Sequence, residues 1–171
     1  MKKARGQKRP DIMIEHTLVL IKPDGVARGL TGRIISRFED AGLKIVGMKM
    51  VWIDKEFSKK HYAAHMSKKF YSALEIFITS GPMIAMVIEG VHAVENVRKI
   101  VGHTEPHQAA PGTIRGDFAH HSAKYADANK KAVANLIHAS GIKEDAVAEI
   151  KLWFKAEELH TYKTVHENHV F

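Results

Sequence analysis

Residues 14–25 read Ile14-Glu15-His16-Thr17-Leu18-Val19-Leu20-Ile21-Lys22-Pro23-Asp24-Gly25. The first eight form a strand pattern that ends in a continuous apolar run, as expected of a central strand covered on both faces. Pro23 and Gly25 then turn the chain, leaving Lys22 where strand meets loop. Working outward, Arg28 to Ala41 carries Leu30, Ile34, Ile35 and Phe38 on one helical face, with Gly42 placed as its C-terminal cap. Leu43–Ile53 reads as a second strand. Asp54 can cap a short helix bearing Phe57, His61 and Tyr62. Lys69–Thr79 is expected to be a helix with Phe70, Leu74, Phe77 and Ile78 inward. After the break Ser80-Gly81-Pro82, Met83–Ile88 is a third apolar strand, and Val91, Val94, Val97 and Val101 mark a helix.

A polar loop, His103–Gly116, follows, and Asp117-Phe118-Ala119 is expected to open a short fourth strand. Residues 120–134 are small, polar and then Ala-rich, which suggests an insertion or surface excursion that can be part helix. Lys143–Phe154 is again helical. This alternation argues an α/β or α+β fold in which helices cover a small sheet.

The chain has 171 residues, 45% hydrophobic and 26% charged, which suits one soluble domain with a real core. It contains no cysteine, so disulfides, thiolate metal sites and cysteine nucleophiles are excluded. No apolar run reaches the length of a membrane span, so no membrane partner is expected. Net charge is +7, most of it from Lys2, Lys3, Arg5, Lys8 and Arg9. Residues 1–12 are therefore set aside as a basic, flexible head and residues 13–171 as the single folded domain. Such a head can touch nucleic acid or an acidic surface, but the body's charge gives no reason to expect nucleic-acid binding.

The candidate chemistry centres on Asn135-Leu136-Ile137-His138-Ala139-Ser140-Gly141. Here an imidazole stands just ahead of a helical segment with polar neighbours on both sides, so it can be held in one orientation and one tautomer. Glu149, on the following helix, is placed to orient it by hydrogen bonding. Lys22, Arg98, Thr104 and Arg115 can converge on an anion, since guanidinium forks and an ammonium match phosphate oxygens. The ordinary alternative is a surface ion pair, such as Arg115 with Asp117. His61 and His65 lie four apart on a helix, but no third metal ligand is apparent and exposed histidines are the expectation. A neutral imidazole among phosphate-binding cations can attack phosphorus in line and pass the group on from a phosphohistidine, which is ping-pong transfer. Neither a P-loop nor a dinucleotide fingerprint is present.

These residues resemble the nucleoside diphosphate kinases. The matching motifs, in the family's order, are Thr17…Ile21-Lys22-Pro23-Asp24-Gly25-Val26 with Arg28-Gly29-Leu30, His61-Tyr62, Ser80-Gly81-Pro82, Pro111-Gly112-Thr113-Ile114-Arg115-Gly116-Asp117-Phe118, Asn135-x-Ile137-His138-x-Ser140, and Leu152-Trp153-Phe154. The resemblance runs from about Glu15 to the C-terminus. It implies a ferredoxin-like fold, a four-stranded antiparallel sheet covered by helices. It also implies transfer of the γ-phosphoryl of a nucleoside triphosphate such as ATP to a nucleoside diphosphate, with Mg²⁺ held mainly by the nucleotide rather than by protein side chains.

In this family's pattern His138 is the nucleophile, forming pros-phosphohistidine, with Ser140 and Glu149 in support. Lys22, Tyr62, Arg98, Thr104, Arg115 and Asn135 match positions that contact phosphates and sugar, and Phe70 matches the aromatic that stacks on the base. A cytoplasmic homo-oligomer, hexamer rather than tetramer, is implied as well. The alternative is a non-catalytic nucleotide- or nucleic-acid-binding module of the same fold, which has no need of the full catalytic set. The chain departs from the family twice. The segment between Arg115 and His138 is about ten residues longer than usual, a length that loops absorb cheaply, and Ala132 or Val133 falls where an apolar residue covers the other face of the base. Gly141 replaces a frequent aspartate, which leaves Ser140 to do more of the capping of the next helix.

Overall fold

The computed structural model describes residues 14–170, so the basic head lies outside the described residues. Strand β1 (Ile14–Ile21) leads into α1 (Pro23–Ala27) and α2 (Thr31–Glu39), followed by β2 (Lys44–Val51), α3 (Lys55–His61), α4 (Tyr71–Ile78), β3 (Met83–Val91) and α5 (Ala93–Val101). The second half holds α6 (Ile114–Phe118), α7 (Ala123–Ala128), β4 (Ile137–Ala139) and α8 (Lys143–Trp153). The strands form one antiparallel sheet in the order β2-β3-β1-β4, a ferredoxin-like arrangement.

The continuous apolar run of β1 is explained by its place inside this sheet. Val19 and Ile21 point to one face, where they pack with Ile34 and Phe38 of α2 and Val97 and Val101 of α5. Leu18 and Leu20 point to the other, against Tyr62, Tyr71, Ile78 and Trp153. All four β1 side chains are 0% exposed, and burial of each contributes roughly 1.5–3 kcal/mol. A strand with no polar face can stand only between two layers, so β1 takes an inner position and β2 and β4 take the edges.

Several sequence-based boundaries shift for identifiable reasons. The expected turn at Lys22–Gly25 is the start of α1, where Pro23 occupies the first position and needs no N–H partner. The helix expected from Arg28 starts at Thr31, because Gly29 adopts φ +66 and separates α1 from α2. Gly42, at φ +75, closes the far end as expected. Asp54 caps α3 by accepting the Phe57 N–H at 2.7 Å. Phe70 does not point inward; it is 48% exposed and precedes α4.

The main correction concerns the fourth strand. Residues 117–119 do not form it: Thr113 caps Gly116 N–H and folds Ile114–Phe118 into α6. The fourth strand is instead Ile137–Ala139, with His138 opposite Leu20 of β1. Nor does Arg115 pair with Asp117, whose carboxylate takes Arg37 at 2.7 Å. The 120–134 segment is partly helical, through α7, and is tied to the loop before it. Ser122 caps α7, and Ala123 N–H donates to Glu105 Oε2 at 2.8 Å.

Candidate active site

The site begins with an unusual backbone. Leu136 is fully buried and sits at φ +68, a left-handed conformation that costs a branched residue energy. Two bonds hold it there: its N–H donates to Asp24 Oδ2 at 3.0 Å, and its carbonyl accepts the Lys22 N–H at 2.8 Å. Gly25 is required beneath, since a Cβ there would lie 3.2 Å from the Leu136 carbonyl and 2.7 Å from Ile21. The Lys-Pro-Asp-Gly turn therefore sets the direction in which the chain enters β4, and with it the face on which His138 projects.

His138 shares the face of Leu20, toward α8. Its Nε2 lies 3.0 Å from Glu149 Oε1, while Glu149 Oε2 accepts the Ser140 hydroxyl at 2.6 Å. Burial opposes the charge on Glu149, but the hydrogen bonds from His138 and then Ser140 outweigh it and hold the carboxyl below its ordinary range. An ionised Glu149 can only accept, so Nε2 carries the proton and Nδ1 keeps its lone pair. Ser140 is fully buried and also accepts the Leu18 N–H at 3.2 Å, anchoring the pair to β1. Its hydroxyl is thereby committed and does not cap α8, whose N-cap is Ile142 without a side-chain bond. The α8 N-terminus carries Glu144 and Asp145 in its first turn instead.

Around His138 lies a cavity of about 650 Å³. Lys22, Tyr62, Phe70, Arg98 and Thr104 line it, as do Arg115, Asn135, His138 and Glu149. Of the predicted set, Ser140 alone stands behind the wall. Lys22 Nζ donates to Asn135 Oδ1 at 2.7 Å, and Asn135 Nδ2 donates to the Thr104 carbonyl at 2.9 Å. Burial, with Arg115 adding to it, pushes the Lys22 ammonium down to about 8. Arg115 is pushed down to about 10 by burial and then by Arg98. Arg115 also orders the backbone. It donates to the carbonyls of Asn135, Gly102 and Ile137 at 3.1, 3.0 and 2.7 Å, and so pins the strand of His138 and the residues that lead into it. Arg98 and Thr104 are exposed at the rim. Ala132 and Val133 both line the cavity.

His61 is the residue that sequence reasoning misjudged. It is not an exposed partner of His65. Its Nδ1 accepts the Trp153 Nε1–H at 3.1 Å, and its ring stands edge-on to His138 with centroids 4.8 Å apart. Burial and then the proximity of His138 push its pKa down to about 3, so it stays neutral beside His138. The Tyr62 hydroxyl and His61 Nε2 are buried without a hydrogen-bond partner among the described residues. The only signal in the sequence was the adjacency of His61 to Tyr62. His61, His138 and Glu149 offer potential metal-ligand atoms within 4.8 Å of one another. The proton between His138 and Glu149 and the nearby Lys22 charge oppose a cation at that spot.

Comparison with known proteins gives the chain's family and fold relatives. The family model described as nucleoside diphosphate kinase matches residues 15–159. A nucleoside diphosphate kinase of Pyrococcus horikoshii is 57% identical over 148 residues, 86% of this chain and 90% of the relative. That of Archaeoglobus fulgidus is 47% identical over 158 residues, 92% and 98% of the two chains. Among solved structures, a transition-state mimic of the Borrelia burgdorferi enzyme with bound vanadate and ADP superposes with TM-score 0.90 at 44% identity, covering 93% of this chain and 98% of its own. The Halobacterium salinarum enzyme in complex with CDP gives 0.83 at 43% identity, covering 92% and 98%. With a fold, a histidine site and a matched span that extends over most of its length, the chain belongs to the nucleoside diphosphate kinase family.

Proposed function

We propose that this chain is a nucleoside diphosphate kinase that moves the γ-phosphoryl group of a nucleoside triphosphate to a nucleoside diphosphate through His138. The observation that carries the reading is the 3.0 Å contact from His138 Nε2 to Glu149. It leaves Nδ1 as the nucleophilic nitrogen. Nδ1 attacks the γ-phosphorus, the bond from phosphorus to the bridging oxygen breaks, and the diphosphate leaves. The imidazole ring gains positive charge, which the Glu149 carboxylate offsets. A second nucleoside diphosphate then takes the group in the reverse step, and His138 returns to its starting tautomer.

Lys22, Arg98 and Arg115 are the cations proposed for the phosphate oxygens, and the unpartnered Tyr62 hydroxyl is a further donor to them. Asn135 holds Lys22 in place and, with Thr104, faces the sugar. Phe70 offers an exposed ring for the base. Mg²⁺ fits this donor set as a passenger of the nucleotide. The oxygens it prefers come chiefly from phosphates, with Asp145 at the cavity wall as a protein carboxylate for its water shell. When bound, the ion neutralises charge on the phosphates. A homo-oligomer in the cytoplasm, where nucleotides are pooled, completes the proposal. Edge strand β2 leaves Met48 and Met50, with Trp52 beyond it, 56–67% exposed, which supports a covering partner copy.

The test is incubation with ATP labelled at the γ position, followed by acid and by base. The expected adduct is acid-labile and base-stable, and a nucleoside diphosphate discharges it. Absence of label on the wild type, or equal label on His138→Ala, would sink the enzyme reading in favour of a binding module.

A further inference from the structure

The cavity has two distinguishable ends. A ladder of rings leads outward from the nucleophile: His138 to Tyr62 at 6.5 Å, Tyr62 to His65 at 6.3 Å, and His65 to Phe70 at 5.8 Å. With the γ-phosphate at His138, the base lies toward Phe70. Part of the cavity wall comes from the 120–134 segment, through Ala123, Asp127, Lys131, Ala132 and Val133.

That segment is built to hold its shape. Ala126 is 1% exposed. Glu105, next to Thr104, ties down Ala123 at 2.8 Å, and His107 N–H donates to the His121 carbonyl at 3.2 Å. Ala134 N–H reaches His121 Nδ1 at 3.3 Å. After α7, Lys130 takes a left-handed turn at φ +52, and Lys131 N–H returns to the Ala126 carbonyl at 2.9 Å. This closure brings Lys131 back beside the turn that carries Asp127. Both side chains line the cavity, and neither has a hydrogen bond or ion pair among the described residues.

Resting on the kinase reading, we infer that Asp127 and Lys131 read the edge of the nucleobase and favour guanine. A carboxylate accepts two hydrogens side by side, and guanine alone among the common bases offers such a pair, N1–H with N2–H. An ammonium matches its O6 or N7. Cytosine and adenine offer the carboxylate one amino group, and uracil a single N–H flanked by carbonyls that the carboxylate repels. The stacking surface of Phe70 is indifferent to base identity, so the discrimination comes from this inserted wall.

The experiment measures binding of GDP, ADP, CDP and UDP by calorimetry, with discharge of the labelled phosphoenzyme by each in parallel. The wild type binds GDP more tightly than CDP. Asp127→Asn replaces an acceptor by a donor and lowers the GDP-to-CDP affinity ratio about tenfold. Lys131→Met lowers it less, because it loses one bond without setting a donor against a guanine N–H. Asp127 and Lys131 are exposed, so neither variant is expected to disturb folding, and unchanged thermal unfolding checks this. Equal wild-type affinity for GDP and CDP, or an unchanged ratio in Asp127→Asn, overturns the inference. Failure of the kinase reading gives a different result: no phosphoenzyme, whatever the binding ratio.

Discussion

At the floor of the cavity, polar atoms are spent on one another. Lys22 is bound to Asn135, Asn135 to Thr104, Arg115 to three carbonyls, and His138 to Glu149, which Ser140 holds in turn. At the rim, Phe70, Arg98, Asp127 and Lys131 stand exposed without a side-chain hydrogen bond among the described residues. The floor is over-determined enough to keep Leu136 in a strained conformation beside His138. The rim side chains are not tied in this way, although the backbone that carries Asp127 and Lys131 is. Chemistry that needs one tautomer and one direction of attack belongs on the first kind of surface, and recognition of varied nucleotides on the second. The contrast predicts that floor substitutions act on turnover and rim substitutions on affinity.

Four variants or conditions would break or sharpen that contrast. His138→Ala removes the nucleophile and lowers turnover by about 10⁴-fold, with the thermal unfolding transition retained. Glu149→Gln can donate to Nε2 and so stabilise the wrong tautomer; kcat falls about 10- to 100-fold with nucleotide KM unchanged, by steady-state kinetics. Phe70→Ala does the reverse, raising KM about tenfold for every base while phosphoenzyme formation at saturation is unaffected. If Phe70→Ala lowered kcat and spared KM, the division between floor and rim would be wrong. The fourth test is pH. Free Lys22 loses its proton as pH rises through about 8, and as a floor group it shows in the rate: kcat/KM falls a few-fold between pH 7 and pH 9 in a pH–rate profile.

A smaller effect concerns stability. The folded pKa of His61 is depressed to about 3, so between pH 3 and its ordinary value of 6.5 the unfolded chain binds the extra proton. Stability therefore rises with pH across that window and is lost as pH falls through it. His61→Phe removes this contribution, and urea titrations at several acidic pH values should show a shallower dependence.

The sequence revealed the parts of this molecule that have a period or a punctuation mark. The apolar run Leu18–Ile21 located an inner strand, and Asp54 located a helix start. Strand β4 was invisible, because three residues with a histidine at the centre make no pattern; its order comes from Arg115, Leu136 and pairing to β1. A loop to Gly116 and a strand from Asp117 were expected where helix Ile114–Phe118 forms, although Thr113, two residues ahead of Arg115, is its cap. His138, Glu149 and the cations could be named from sequence. What could not be read was how they are held: the double duty of Arg115, the commitment of Ser140 to Glu149, and the place of His61 between Trp153 and His138 all depend on contacts between residues far apart in the chain.

The central claim is that Glu149 fixes Nε2 as the protonated nitrogen and leaves Nδ1 to react. The most direct test is to phosphorylate the protein with ATP and identify the phosphohistidine isomer by phosphorus–nitrogen NMR coupling on protein labelled with ¹⁵N-histidine. The geometry predicts phosphorus on Nδ1 of His138, the pros isomer. Phosphorus on Nε2, or on another residue, would contradict it.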